Sequence, residues 1–317
     1  MSSFVLKIIV SVCMLIDHIG AVFPSPEVLR MIGRIAFPVY AYMVAQGCKH
    51  TKNIYKYLFR LGIFALISEI PFDMTFWHMY NQDGVINWSI NFLNETNVFY
   101  TLFLGAAGIA LYEKLQTKQR SWLALLPLFL VPLTFVVVPF LPEGFSWRTL
   151  MTIGCALSIS VCFWLCNMLP AAEDIAKTKW PRRLLALLTT VPVFLLGSIL
   201  STDYGMYGVI FILVFYLAKP ENRISRSIAM FVIVFMEYAY PYFYWVCENA
   251  GVSLFLLPGK MMHFAPSLSD FGFALAAVVL VFFYNGKPGP KVKWAFYIFY
   301  PAHIALLGII WYIGFAR

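Results

Sequence analysis

The sequence predicts an all-α, polytopic bundle of transmembrane helices with a cytoplasmic N-terminus. Three observations carry this. Hydrophobic residues make up 61% of the 317 and charged residues only 12%, against about 25% charged in an ordinary soluble domain. The mean hydropathy of +0.78 is more than one soluble core can hide, given how slowly the surface of a folded chain scales with its size. The apolar residues fall in runs of about 20, the length that carries a helix through the hydrocarbon layer. Soluble-enzyme, DNA-binding and disordered classes are thereby excluded. The net charge of +8 implies no nucleic-acid partner, since cytoplasmic membrane loops are basic in their own right.

Taken in order, the candidate spans are 4–22, 29–47, 55–74, 97–115, 122–141, 149–169, 184–201, 204–218, 227–246, 268–284 and 294–315. The first sits where a signal peptide would, but lacks a small-residue cleavage site and carries Asp17 and His18, so it is expected to be retained. The run 204–218 is short and follows Asp203 closely; a re-entrant or tilted element there leaves ten spans as the alternative to eleven. Basic residues mark alternate loops. They are Lys49, Lys52, Lys56 and Arg60; Lys114, Lys118 and Arg120; Lys177, Lys179, Arg182 and Arg183; Lys219, Arg223 and Arg226; and Lys287, Lys291 and Lys293. The intervening loops hold Arg30, Arg148 and Lys260. This bias puts the N-terminus and the 286–293 loop in the cytoplasm, and the C-terminus and the segment 75–96 outside. With no internal repeat, residues 1–317 read as one transmembrane domain. The six cysteines form no CxxC and read as small apolar packing residues; no metal ligand set is expected.

Ionisable groups inside a bilayer are costly, so each is a site hypothesis. In the first span Lys7, Ser11, Met14 and His18 follow helical spacing and share one stripe, with Lys7 and His18 about 16 Å apart along the axis. His18 is either a base, with Asp17 beside it, or a hydrogen-bonded brace between helices; Lys7 either joins that stripe or snorkels to the surface. Arg34 lies roughly 7 Å into the second span, level with Asp17 and His18. These three groups make either a catalytic constellation or a structural Asp17–Arg34 ion pair. Glu69 and Asp73, four residues apart around Pro71, share a face at the end of the third span. They form either an acceptor-attracting mouth or a solvated helix end, and the Asp203-Tyr204-Gly205 turn offers the same choice. The turn Asn285-Gly286-Lys287-Pro288-Gly289-Pro290-Lys291-Val292-Lys293 combines glycines with positive charge suited to phosphates. It leads into the last span, where His303 lies about 14 Å deep beside Pro301. Glu237 is a further mid-span acid.

The run Ile16-Asp17-His18-Ile19-Gly20, followed by Gly33-Arg34-Ile35-Ala36-Phe37-Pro38, resembles the TraX family of membrane proteins. So do Gln46-Gly47 with His50-Thr51, Ser68-Glu69-Ile70-Pro71-Phe72-Asp73, Asp203-Tyr204-Gly205, Tyr284-Asn285-Gly286-Lys287 and Phe299-Tyr300-Pro301-Ala302-His303. The likeness is dense over 5–74 and patchy afterwards. It implies an integral membrane acetyltransferase, the family being named for a protein that acetylates the amino terminus of conjugative pilin. The Lys7-x10-His18 spacing is also similar to the basic-x10-His pattern of the acyltransferase-3 family, where a membrane histidine serves acyl transfer from cytoplasmic acyl-CoA.

Residues and resemblance together lead to one expected mechanism. Acetyl-CoA is the donor substrate, its phosphates resting on Lys56, Arg60, Lys287, Lys291 and Lys293, and its arm passing Lys7 towards His18, with His303 nearby. His18 is the base, Asp17 orients it, and Arg34 holds that carboxylate or the developing oxyanion. Glu69, Asp73, Asp203 and Tyr204 receive the acceptor, a pilin or secreted peptide or an envelope glycan, on the outer side of a bacterial inner membrane. A small-solute transporter and a noncatalytic assembly protein are the competing classes.

Overall fold

Apolar runs bounded by Ser, Asn, Gly and Pro become helices because in lipid each backbone N–H and C=O must be satisfied within its own segment. The structure, a computed structural model, describes residues 1–77, 90–117, 152–155, 157, 159–161, 186–218, 222–249, 267–290 and 292–315. Its helices are α1 (Ser3–Val22), α2 (Val28–Gly33), α3 (Ala36–His50), α4 (Ile54–Phe72) and α5 (Val98–Thr117). They continue with α6 (Val191–Ile199), α7 (Gly205–Ala218), α8 (Arg223–Val234), α9 (Tyr240–Asn249), α10 (Leu268–Phe282) and α11 (Lys293–Phe315). No strand occurs among the described residues. Among the described residues, four stretches are long and apolar enough to cross a membrane: Ser3–Val22, Val28–His50, Arg223–Cys247 and Trp294–Gly314. The chain is a helical membrane protein. The expected spans 122–141 and 149–169 lie wholly or largely outside the described residues.

Local chemistry sets where helices start and break. Ser2 caps α1, its Oγ accepting from the Val5 N–H, and Asn222 and Ser225 form a reciprocal capping box at the start of α8. The span expected over 29–47 is one membrane-length stretch, Val28–His50, built of two helices interrupted at Arg34–Ile35. Pro38 is the cause: it has no N–H for the Arg34 carbonyl four residues back, and its ring crowds that oxygen. The released carbonyl accepts from the Tyr238 hydroxyl at 3.3 Å. Pro71 acts similarly within α4, which passes directly into a π-helical turn at Asp73–Trp77. A second π-helical turn, Phe235–Ala239, joins α8 to α9 and carries buried Glu237; such turns are frequent at functional sites.

The backbone clusters into two compact units. The first comprises Met1–Gln46, Ile63–Ile90 and Val214–Arg317. In it α1 packs on α2 and α11, and α8 packs on α10. The α1–α2 approach is close because Gly33 faces Asp17, where a Cβ would overlap the carboxylate. The Met1–Ser3 backbone is tied to the turn after α10: the Asn285 N–H donates to the Met1 carbonyl at 2.9 Å and the Ser3 N–H to the Lys287 carbonyl at 2.8 Å. The second unit comprises Gly47–Gly62 and Asn91–Leu213. Its core joins Leu104 and Leu111 of α5 to Val193, Leu196 and Ile199 of α6, and to Val209 of α7. Thr101 donates to Thr202 at 3.0 Å, pinning α5 to the turn before α7.

Candidate active site

Within the first unit, α1 and α11 run side by side in the same direction. Near their starts Phe4 meets the Phe296 ring edge-on at 6.0 Å, and the Lys7 ammonium lies 5.5 Å from the centroid of that ring. Further along, His18 and His303 are both buried, with rings within 10° of parallel and centroids 4.9 Å apart. Lys7 and His18 thus do face one neighbour, as the stripe required, while Ser11 turns to α3 and bonds the Tyr40 hydroxyl at 2.7 Å.

The histidine pair has a defined proton order. His303 Nδ1 lies 2.7 Å from the Phe299 carbonyl oxygen. A carbonyl can only accept, so His303 Nδ1 carries the proton and donates. In a neutral ring the other nitrogen then accepts. His18 Nδ1 lies 2.7 Å from His303 Nε2 and is therefore the donor in that bond. What remains is the lone pair on His18 Nε2. The chain Phe299, His303, His18 thus fixes one tautomer of His18 and leaves a basic nitrogen at its end.

Aromatic side chains wall the pair. Phe76 stands edge-on to His18 at 5.1 Å, Tyr300 contacts both rings, and Phe299 stacks on His303 at 4.6 Å. Phe76 belongs to the π-helical turn. That turn is held against α11 by Thr75, whose hydroxyl donates to the Ile304 carbonyl at 3.3 Å. Gly308 makes room, since a Cβ there would meet Thr75 Oγ1.

Two ion pairs anchor α2 beside the pair. Arg30 bridges Asp17 at 3.0 Å and also donates to the Asp17 backbone carbonyl. Arg34 bridges Asp270, on α10, at 3.1 Å. Sequence reasoning gave Arg34 to Asp17; Arg30 is the arginine that bridges that carboxylate, being one helical turn earlier on the same short helix. Asp17 was also expected to orient His18, but the orienting hydrogen bond comes from His303. Adjacent helical residues point about 100° apart, so Asp17 faces α2 when His18 faces α11.

Glu69 and Asp73 differ from expectation in their surroundings: they are 0% and 2% exposed, in the packed interior and not at an open mouth. Asp203 is exposed and Tyr204 half-buried in the second unit, where the Asp203 N–H donates to the Thr96 carbonyl at 2.9 Å. Lys56 and Arg60 also belong to the second unit, Lys56 exposed and Arg60 5.7 Å from the Tyr57 ring. Lys287 is exposed in the first unit. Lys291 and the side chain of Lys293 lie outside the described residues. Sequence reasoning missed Arg30, read as a loop charge, and Asp270, an acid in the first turn of a span. Its position at the edge of an apolar run was the available signal.

The sequence model described as "TraX protein" matches residues 2–177 and 157–311, nearly the entire chain. The chain belongs to the TraX family. Among proteins similar to this TraX-family chain is a probable fimbrial assembly protein, FimC of serogroup H1, from Dichelobacter nodosus. It is 26% identical over 315 residues, covering 96% of this chain and 94% of that protein. No solved structure matches the chain.

Proposed function

We propose that this TraX-family protein is an integral membrane acetyltransferase. It moves an acetyl group from cytoplasmic acetyl-CoA to an amine or hydroxyl on the outer side, on a pilin or secreted peptide or an envelope glycan. The observation that carries this reading is the Phe299–His303–His18 chain, which leaves a lone pair on His18 Nε2 in a buried, aromatic-walled position. Histidine-rich relays of this kind suit general-base work. With an amine acceptor, His18 Nε2 removes a proton from the nitrogen as its lone pair attacks the thioester carbonyl. The new N–C bond forms, the tetrahedral intermediate collapses, and the C–S bond breaks. The departing thiolate then takes the proton from His18 and leaves as CoA thiol. His303 supports the transient imidazolium, while Asp17 and Arg34 position α1 and α2 through their ion pairs. Within the first unit, Lys7 and Lys287 are proposed to receive the donor.

The Lys7-x10-His18 spacing, similar to that of acyltransferase-3 enzymes, supports the same chemistry, the fimbrial assembly relative supports a pilin acceptor, and the membrane-length helices support a multi-pass location, proposed to be the inner membrane. That relative also supports a second reading, a noncatalytic role in pilus assembly. Purified protein in nanodiscs, incubated with radiolabelled acetyl-CoA and a pilin N-terminal peptide, separates the two. Acetyl transfer and CoA release that vanish in His18→Ala are expected. Release no faster than in empty nanodiscs, with peptide or glycan acceptors present, would leave the assembly role.

A further inference from the structure

Arg226 is one of the basic residues between the apolar runs, yet it is only 9% exposed. Its guanidinium lies over the Tyr284 ring at 5.4 Å, and its Nε donates to the Asn222 carbonyl at 3.2 Å. Tyr42 is itself packed edge-on against Tyr284 at 6.1 Å. No carboxylate among the described residues pairs with Arg226. Arg30 and Arg34, by contrast, each hold an acid. A cation this far from water ordinarily needs an anion beside it. Arg226 also sits in the first turn of α8, where the helix dipole adds positive potential. The turn that supplies Tyr284 continues through Gly286, at φ 78, to exposed Lys287. A planar guanidinium stacked on a ring is the group best shaped to grip a phosphate by two hydrogen bonds.

We propose that Arg226 and the start of α8, with the Tyr284–Lys287 turn beside them, bind a phosphate ester. The site's chemistry stands apart from catalysis; the identification of its ligand as a phosphate of CoA rests on the acetyltransferase reading. A phospholipid headgroup offers the same chemistry, so the test has two arms. In the first, full-length protein in phosphatidylcholine nanodiscs is titrated with CoA. In the second, native mass spectrometry follows phosphatidylglycerol retained by the protein. Wild type, Arg226→Gln and Arg226→Lys are compared in both, with unfolding temperature as the folding control.

Arg226→Gln is expected to weaken one ligand by about ten- to hundredfold, the scale of a charge-assisted contact. Arg226→Lys, which keeps the charge but loses the fork, should weaken it several-fold. Loss confined to CoA assigns the site to the donor. Loss confined to phosphatidylglycerol, with no CoA binding by wild type, supports the phosphate site and sinks the donor reading instead. Unchanged binding of both ligands by a folded Arg226→Gln overturns the proposal, as does unchanged binding by Arg226→Lys should the glutamine variant not fold. CoA binding by wild type that neither variant alters would overturn this inference and leave the acetyltransferase reading intact.

Discussion

Replacing His303 by Phe keeps a ring of similar size on α11 and removes both nitrogens of the relay. His18 Nδ1–H then loses the acceptor it has at 2.7 Å, and neither tautomer of His18 is selected. When His18 gains a proton in the reaction, the lost bond is one to a charged group, which contributes about 1.5–3 kcal/mol. At about 1.4 kcal/mol per factor of ten, kcat should fall roughly 10- to 150-fold. The ground state also suffers, because a buried N–H left without a partner costs about 1–3 kcal/mol, so the unfolding temperature should drop modestly. His18→Ala removes the base itself and should lose at least the roughly 10²–10⁴-fold typical of acid–base catalysis. The assay is CoA release followed with a thiol reagent, on nanodisc-embedded protein, with acceptor saturating. Two results would refute the relay: wild-type kcat in His303→Phe, or a loss in folded His303→Phe equal to that in His18→Ala, which would make His303 the base.

Other consequences of the geometry are open to measurement. Arg34 and Asp270 are 11% and 10% exposed at their side chains, so Arg34→Met or Asp270→Leu alone should destabilise by about 3–5 kcal/mol, while the double variant recovers most of it; additive losses in denaturation would contradict a buried pair. Gly33→Ala drives a methyl into Asp17 and should cost about 1–3 kcal/mol, seen as a lower melting temperature, whereas Gly272→Ala, with open space around it, should change little by that mechanism. Because Met1–Ser3 is bonded to the turn holding Lys287, a reporter fused ahead of Met1 and a cysteine at Lys287→Cys, on a thiol-free background, should be reached from the same side of the membrane. Labelling from opposite sides would be incompatible with those bonds.

The helical class and most helix positions were legible in the sequence, because apolar runs of membrane length leave the backbone few alternatives. His18 and His303 stood out for the same reason: an imidazole inside such a run has to be accounted for. Their partnership did not, since 285 residues separate them and helical spacing says nothing about which distant helix a face meets. Arg30 and Arg34 were both visible, but assigning their acids required the packing of α2 between α1 and α10. The burial of Glu69 and Asp73 depends on what packs around this end of α4, which no period announces. Arg226 looked like any positive-inside charge; its burial under Tyr42 and Tyr284 comes from tertiary packing alone.

The separation of the two histidines also sets an order of events during synthesis. His18 lies on α1 and His303 on α11, so the helix carrying His18 leaves the ribosome well before its partner. At about 5–20 residues per second, translation reaches His303 roughly 15–60 s after His18. Until α11 arrives, His18 has neither its proton acceptor nor the Tyr300 side of its enclosure. A nascent or prematurely terminated chain thus carries His18 without the partner that selects its tautomer. Any chemistry at this histidine pair is switched on only once α11 has been made and docked, and supplying α11 as a separate segment is a direct way to restore it.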